Sequence, residues 1–189
     1  MKFTTRQMVL MSLLAAINGV LEITIGNYFH GLQFYFTGNV MIGFNCIVYI
    51  TGKQAVPIRG SIIIIGFISA VIKFLFGWNI NAAFAIFIEA ILMEIVMNIT
   101  GFNIAGTVLG TVAANIWALC QKLIVVGLIG GEGFWVSLRI LTDKASVFFN
   151  IDKSCVFLLF LIIVIFYSLW GVLFGAIGWK VTGRLRLNI

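Results

Sequence analysis

Five acidic or basic side chains lie well inside apolar stretches of the sequence. Glu94 lies deeper than the others and does not join them, and the remaining four are the candidates for chemistry. They are two acids and two bases from four separate stretches: Glu22, Lys73, Glu89 and Lys122. A charged group is costly in hydrocarbon and survives mainly where it faces a bundle interior or an aqueous cavity. Opposite charges that meet there could pair with each other, or they could bind a small anionic or zwitterionic molecule. Both interpretations stay open, and the pocket is favoured because intramembrane charges mark substrate paths more often than scaffolding.

The four groups are predicted to share one depth. At about 1.5 Å per residue, each lies roughly 6–11 Å below the outer end of its helix. The positions behind them on the same helical faces are small or polar, as Asn18 is behind Glu22 and Asn115 behind Lys122. Small faces allow close helix approach or leave room for a ligand.

Tryptophans near this level suggest a ring-bearing ligand, because a flat side chain with one polar atom suits a ring. Trp117 is the better candidate, while Trp78 fits the interfacial aromatic belt at least as well. The predicted binding residues are therefore Glu22, Asn18, Lys73, Glu89, Asn115, Trp117, Lys122 and Trp78.

The composition identifies the elements that must position these residues as membrane helices. The chain has 189 residues, of which 62% are hydrophobic and 10% charged, whereas soluble domains carry about 25% charged residues. The apolar runs are continuous and of helix length, unlike the alternating segments of a membrane barrel. We predict an all-α, polytopic bundle of six transmembrane helices in a single domain. The predicted spans are 7–28, 35–51, 59–77, 82–99, 103–129 and 155–180.

Basic residues predict that both termini are cytoplasmic. Six spans put the termini on one side, and that side carries Lys2 and Arg6, Lys53 and Arg59, and the carboxy-terminal basic residues. Short connections on the cytoplasmic side are enriched in lysine and arginine.

The long fifth connection has its own helical pattern. Phe134, Leu138, Leu141, Ala145 and Phe148 recur at helical spacing and predict a helix over 131–153 along the outer interface. The glycines before it could form a hinge, so the helix could instead be a lid.

Several classes of site are not expected. The three cysteines are widely spaced and there is a single histidine, so no metal site is predicted. No nucleotide-binding or hydrolase motif occurs, and we predict neither a cofactor nor an enzyme activity. The net charge of +6 indicates membrane topology rather than nucleic-acid binding.

The amino-terminal run Thr4–Ala16, TTRQMVLMSLLAA, resembles the opening of substrate-binding S components of energy-coupling factor (ECF) transporters. The family carries a small-xxx-small motif on its first helix, which docks on a transmembrane coupling subunit. The matching residues here are Ser12 and Ala16, with Gly19 one turn further. That face is rotated away from Glu22, so docking and binding faces could coexist on one helix.

The resemblance implies a substrate-capture subunit in the plasma membrane of a prokaryote. Such a subunit binds a vitamin or other micronutrient in an outward-facing pocket and relies on a coupling subunit and two cytoplasmic ATPases for energy. The alternatives are a membrane-embedded lipid or isoprenoid enzyme using Glu89 and Glu94, or a ligand-free structural subunit in which the charges pair. The i, i+5 spacing of Glu89 and Glu94 places them about 140° apart, which counts against the enzyme.

Overall fold

The fold of the protein was obtained as a computed structural model. It describes residues 3–31, 37–125, 127, 131, 133–152 and 154–185, and these residues form helices and short connections with no strand among them. The helices are α1 (Thr5–Gly31), α2 (Thr37–Ala55), α3 (Ser61–Gly77), α4 (Ile80–Thr100), α5 (Ile104–Ile124), α6 (Phe134–Phe149) and α7 (Val156–Leu185).

Short polar side chains and glycines set the helix ends. Asn79 Oδ1 accepts a hydrogen bond from Ala82 N at 3.0 Å at the start of α4, and Asn103 Oδ1 accepts one from Gly106 N at 2.8 Å at the start of α5. These caps satisfy backbone N–H groups that have no partner inside the helix. Gly101, with a φ of 84°, turns the chain sharply between α4 and α5, in the left-handed region that suits glycine.

Four helices in the described part of the chain are long and apolar enough to cross a membrane, namely α1, α4, α5 and α7. The 17-residue helix α3 is apolar but shorter, and α2 is more polar. Large apolar side chains on the long helices face outward; Ile99 and Phe157 are 79% and 78% exposed. Long apolar helices with an apolar exterior indicate a transmembrane protein.

The helices form a closed ring in the order α1, α3, α4, α5, α7, α2, with α2 also contacting α3, α4 and α5. Hydrogen bonds link two of the three neighbour pairs that are not consecutive in sequence. Ser69 Oγ donates to the Ala15 carbonyl at 3.2 Å between α3 and α1, and Trp170 Nε1 donates to the Asn39 carbonyl at 2.9 Å between α7 and α2. Because α2 has neighbours on most sides, it contributes much of the buried core.

Each predicted span overlaps one of the helices α1–α5 and α7, although α1, α2, α4 and α7 extend beyond their predicted ends. The last residues of the predicted span 103–129 lie partly outside the described residues, as do Lys2 and Lys153. Helix α6 forms within the fifth connection and packs on α5 and α7 through Leu138 and Ala145. The ends of its predicted stripe, Phe134 and Phe148, are exposed.

Candidate functional site

A cavity of about 310 Å³ lies at one end of the ring. Its walls come from the carboxy-terminal ends of α1, α3 and α5 and the amino-terminal ends of α2 and α4. The four charged residues singled out in the sequence, Glu22, Lys73, Glu89 and Lys122, all line it. Its volume falls at the lower end of the range of small-molecule pockets, about 300–1,000 Å³.

Glu22 and Lys73 form a buried pair on one wall. Lys73 Nζ lies 3.6 Å from Glu22 Oε2 and donates to the Glu22 carbonyl oxygen at 2.7 Å. Asn45 Nδ2 donates to Glu22 Oε1 at 2.9 Å. Both charges therefore have a protein partner, as a buried ion pair requires.

Glu89 is the exception among the buried acids. The residue is 3% exposed, and its Oε2 atom is buried with no hydrogen-bond partner among the described residues. The ion pairs in the described part of the chain are Lys53–Glu94 and Lys73–Glu22, and neither includes Glu89. A buried carboxylate oxygen without a donor is energetically unfavourable, so this acid can accept hydrogen bonds from a molecule in the cavity.

Lys122 is held by α7. Its Nζ atom donates to Tyr167 Oη at 2.7 Å and lies 5.4 Å from the centroid of the Tyr167 ring. Tyr167 is fully buried, which holds the lysine in place. No ion pair among the described residues includes Lys122. An ammonium has three N–H donors, which leaves donors for an anion.

The side of the cavity between α4 and α5 is lined by amide side chains. Asn79 and Asn81 line it, and Gln121 Nε2 donates to the Asn81 carbonyl oxygen at 2.9 Å. This bond ties the end of α5 to the start of α4. Asn79 also caps the start of α4 through its side-chain oxygen.

The other predicted binding residues do not line the cavity. Asn18 and Asn115 are completely buried behind it, Asn115 Nδ2 donating to the Thr111 carbonyl at 2.9 Å. Trp117 is half-buried away from the lining, and Trp78 is 87% exposed at the end of α3. No aromatic side chain belongs to the described lining. Trp117 belongs to α5 but not to its lining residues, and Trp78 follows the last residue of α3.

The three predicted docking residues on α1 have different surroundings. Ser12 is exposed and Ala16 is half-buried. Gly19 is buried, and a Cβ atom added to it would lie 2.6 Å from Ile72 Cγ2 of α3. Gly19 therefore serves close packing between α1 and α3 and lies outside the exposed face.

A second charged cluster lies at the opposite end of α3. Lys53 Nζ pairs with Glu94 and donates to the Ile58 carbonyl at 3.1 Å. Glu94 also accepts from the backbone N–H groups of Gly60 at 3.0 Å and Ile62 at 2.9 Å. Glu94 was expected to lie apart from the four cavity charges, and it does; its pairing with Lys53 was not foreseen.

Two residues that support the cavity were missed from the sequence. Asn45 holds Glu22, and Tyr167 holds Lys122. A search for ionisable groups passes over both. The available signal was a hydrogen-bonding side chain inside an apolar run, since such groups need an internal partner in a membrane.

The described residues offer no metal site. No group of three His, Cys, Asp or Glu side chains in that part of the chain could hold an ion. Of the cysteines, Cys46 is buried and Cys120 and Cys155 are exposed, all as free thiols.

Comparisons of the chain with models of known protein families, with curated proteins and with solved structures find no match.

Proposed function

We propose that this protein is a membrane substrate-capture subunit that binds a small polar nutrient in the cavity between α1–α5. The observation that carries the proposal is the cavity itself, lined by four charged side chains of which Glu89 has an oxygen without a partner. A buried polar atom that lacks a protein partner and belongs to the lining of a concave pocket is typical of a ligand site.

We further propose the ECF S-component role, with six spans and both termini in the cytoplasm of a prokaryotic cell. The basic residues support this orientation, because Arg6, Lys53 and Arg59 lie at the end of the bundle opposite the cavity. The cavity would then open outward, and transport would need a coupling subunit and two ATPases. Ser12 and Ala16, together with exposed apolar neighbours such as Val9 and Leu13, are the proposed docking face.

The nutrient is proposed to be small and charged, without restriction to a ring. The described lining contains no aromatic side chain on which a ring could stack. Its polar groups are carboxylates, ammonium groups and amides, which recognise charge and hydrogen bonding instead.

A ligand-free structural subunit is the rival that a specific observation favours. Two buried ion pairs, Lys53–Glu94 and Lys73–Glu22, already tie helices together. The lipid-enzyme alternative has less support, since Glu94 is occupied by Lys53 and two backbone N–H groups at the far end of the bundle from Glu89.

A thermal-stability screen of the purified protein in detergent tests the proposal. The panel contains water-soluble vitamins, nucleobases and amino acids, each at a concentration well above the expected dissociation constant. A ligand of the folded state at about 100 times its Kd stabilises that state by about 2.7 kcal/mol. A rise in melting temperature with one compound class, lost in Glu89→Gln and Lys122→Met, supports substrate capture.

The matched controls are Asp143→Asn and Lys180→Met, which neutralise an exposed acid and an exposed base away from the cavity. Both should keep the ligand-dependent rise. If no compound raises the melting temperature, the structural subunit becomes the better account. When a compound does raise the melting temperature, uptake is tested directly. A strain that cannot make that nutrient should grow on it when it carries this protein and the coupling subunits.

A further inference from the structure

The charges around the cavity are not equivalent, and the difference bears on what the cavity holds. Lys73 has a carboxylate oxygen at 3.6 Å and a carbonyl oxygen at 2.7 Å, both from Glu22. Glu22 has Asn45 as a further donor. The protein itself balances the charges of Lys73 and Glu22, so a charged ligand group is not required on this wall.

Glu89 and Lys122 lie on the same cavity without a charged partner among the described residues. Glu89 is 3% exposed and its Oε2 atom has no donor in that part of the chain. Lys122 has the neutral Tyr167 hydroxyl at 2.7 Å. One acid and one base thus remain for an occupant, on α4 and α5 respectively.

Glycines leave open space beside Lys122 and beside the Glu22–Lys73 pair. A Cβ atom at Gly38 would lie 3.9 Å from Lys122 Cε and Nζ, and one at Gly26 would lie 3.7 Å from Lys73 Nζ and Glu22 Oε2. Both glycines line the cavity. Small residues at these two positions leave room for a ligand atom next to the charged groups.

We propose that the ligand is a compact zwitterion, with an N–H-bearing cationic group on Glu89 and an anionic group on Lys122. This inference rests on the proposed capture function and narrows its substrate class. A group with N–H donors is required because the Glu89 oxygen lacks a donor, which a quaternary ammonium would not supply. Lys122 acts as a point charge for a carboxylate or similar anion. The volume of about 310 Å³ suits a molecule the size of an amino acid.

The test compares charge variants of one molecule on the purified full chain. The probes are amino acids and any compound that the stability screen identifies. Each is tested with its amine acetylated, with its carboxylate esterified, and with both blocked. The zwitterion should give the largest rise in melting temperature, and either single block should weaken binding by about tenfold or more, the effect of losing one charge-assisted hydrogen bond.

Variants assign each charge to its partner. In Glu89→Gln the amine should matter less, so the difference between free and acetylated probe should shrink. In Lys122→Met the same should hold for the free and esterified probe. Gly38→Ala adds one methyl group at ordinary contact distance from Lys122, so it should fold normally and weaken binding without lowering the ligand-free melting temperature. Asp143→Asn and Lys180→Met should behave as the unmodified chain.

The outcomes separate this inference from the capture function. If a ligand binds equally well with its amine or its anionic group blocked, the zwitterion inference is wrong while capture stands. If the two substitutions leave the probe preferences unchanged, the assignment to Glu89 and Lys122 is wrong. If nothing in the panel binds, the capture function itself is overturned.

Discussion

Buried charges in this chain have two kinds of surroundings. Lys53 and Glu94 are 4% and 1% exposed, and protein groups surround both. Glu89 is buried to a similar degree yet keeps an oxygen without a donor among the described residues. Burial alone therefore does not distinguish a structural charge from a binding one; the partners do.

The Lys53–Glu94 pair leads to a stability prediction. Lys53→Met should destabilise the protein by about 3–5 kcal/mol, because it leaves the Glu94 charge buried without its cation. Glu94→Gln should also destabilise, since Lys53 loses its anion. The double variant should cost less than the sum of the two, as measured by denaturant or thermal unfolding in detergent. Strict additivity of the two effects would show that the groups do not interact, with the exposed Lys180→Met as the neutral reference.

Substitution of the two cavity lysines should affect different properties, stability for Lys73 and ligand binding for Lys122. Lys73→Met removes the cation beside buried Glu22 and should lower the ligand-free melting temperature. Lys122→Met removes a hydrogen bond and a cation–π contact to the neutral Tyr167, a loss of about 1–3 kcal/mol, and should chiefly abolish the ligand-dependent rise. Melting curves of both variants with and without ligand measure this. The reverse pattern would show that Lys73 carries the ligand contact.

At the scale of the helices, close approach depends on glycines at the α5–α7 contact. A Cβ atom on Gly171 would lie 2.7 Å from Val112 Cα, and one on Gly175 would lie 2.8 Å from Val108 Cα. The opposing atoms belong to the backbone of α5, so no side-chain rotation can relieve the overlap. Apolar burial gives membrane helices little reason to associate with each other rather than with lipid, and such close packing supplies much of what holds them together.

These contacts predict the effect of a single methyl group. Gly171→Ala should destabilise the protein by about 1–3 kcal/mol, because α5 and α7 must separate to accept it. Gly183→Ala is the matched control in the same helix, where a Cβ atom meets nothing within 4 Å. It should be neutral or stabilising by up to about 1 kcal/mol, since alanine is the better helix former. Equal melting temperatures for the two variants would contradict the close α5–α7 packing.

Helix α6 contacts two helices of the ring. It packs on α5 and α7 through its central buried residues, Leu138, Thr142 and Ala145. None of its residues belongs to the described lining of the cavity. The surface-helix interpretation of the fifth connection accounts for these contacts.

At the scale of the whole molecule, the two ends of the bundle differ in chemistry. One end has the cavity and the α3–α4 turn at Trp78, while the other has the start of α1, the α2–α3 connection with Arg59, and the Thr182 region of α7. The proposed six crossings by α1–α5 and α7 would place these two sets of positions on opposite sides of the membrane.

Thiol labelling in intact cells tests this topology. A membrane-impermeant thiol reagent should reach the exposed Cys155, before α7, and a cysteine in Trp78→Cys without disruption of the membrane. A cysteine in Arg59→Cys, exposed in the α2–α3 connection, should react only after permeabilisation. A background that carries both Cys120→Ser and Cys155→Ser removes the two exposed native thiols and isolates each engineered site. Labelling of Arg59→Cys in intact cells would show that the orientation is the opposite of the proposed one. Labelling of all sites from one side would refute the six-span topology.

The sequence by itself determined the all-helical class, the approximate position of each helix, and which charges would be costly in hydrocarbon. These properties depend on local composition and on spacing along one helix, both of which can be read directly. The shared depth of Glu22, Lys73, Glu89 and Lys122 followed from counting 1.5 Å per residue. Their common cavity agrees with that count.

Only the tertiary structure decided which charges pair and which stay available. Lys73 joins Glu22 across α1 and α3, Lys53 joins Glu94 across α2 and α4, and Lys122 finds Tyr167 on α7. The packing of the helices also buries Gly19 against Ile72 and leaves Trp117 outside the lining of the cavity. The physical reason is that pairing depends on which helices become neighbours and how each rotates about its axis. Contacts far apart in sequence fix both, and no periodicity within a single helix records them.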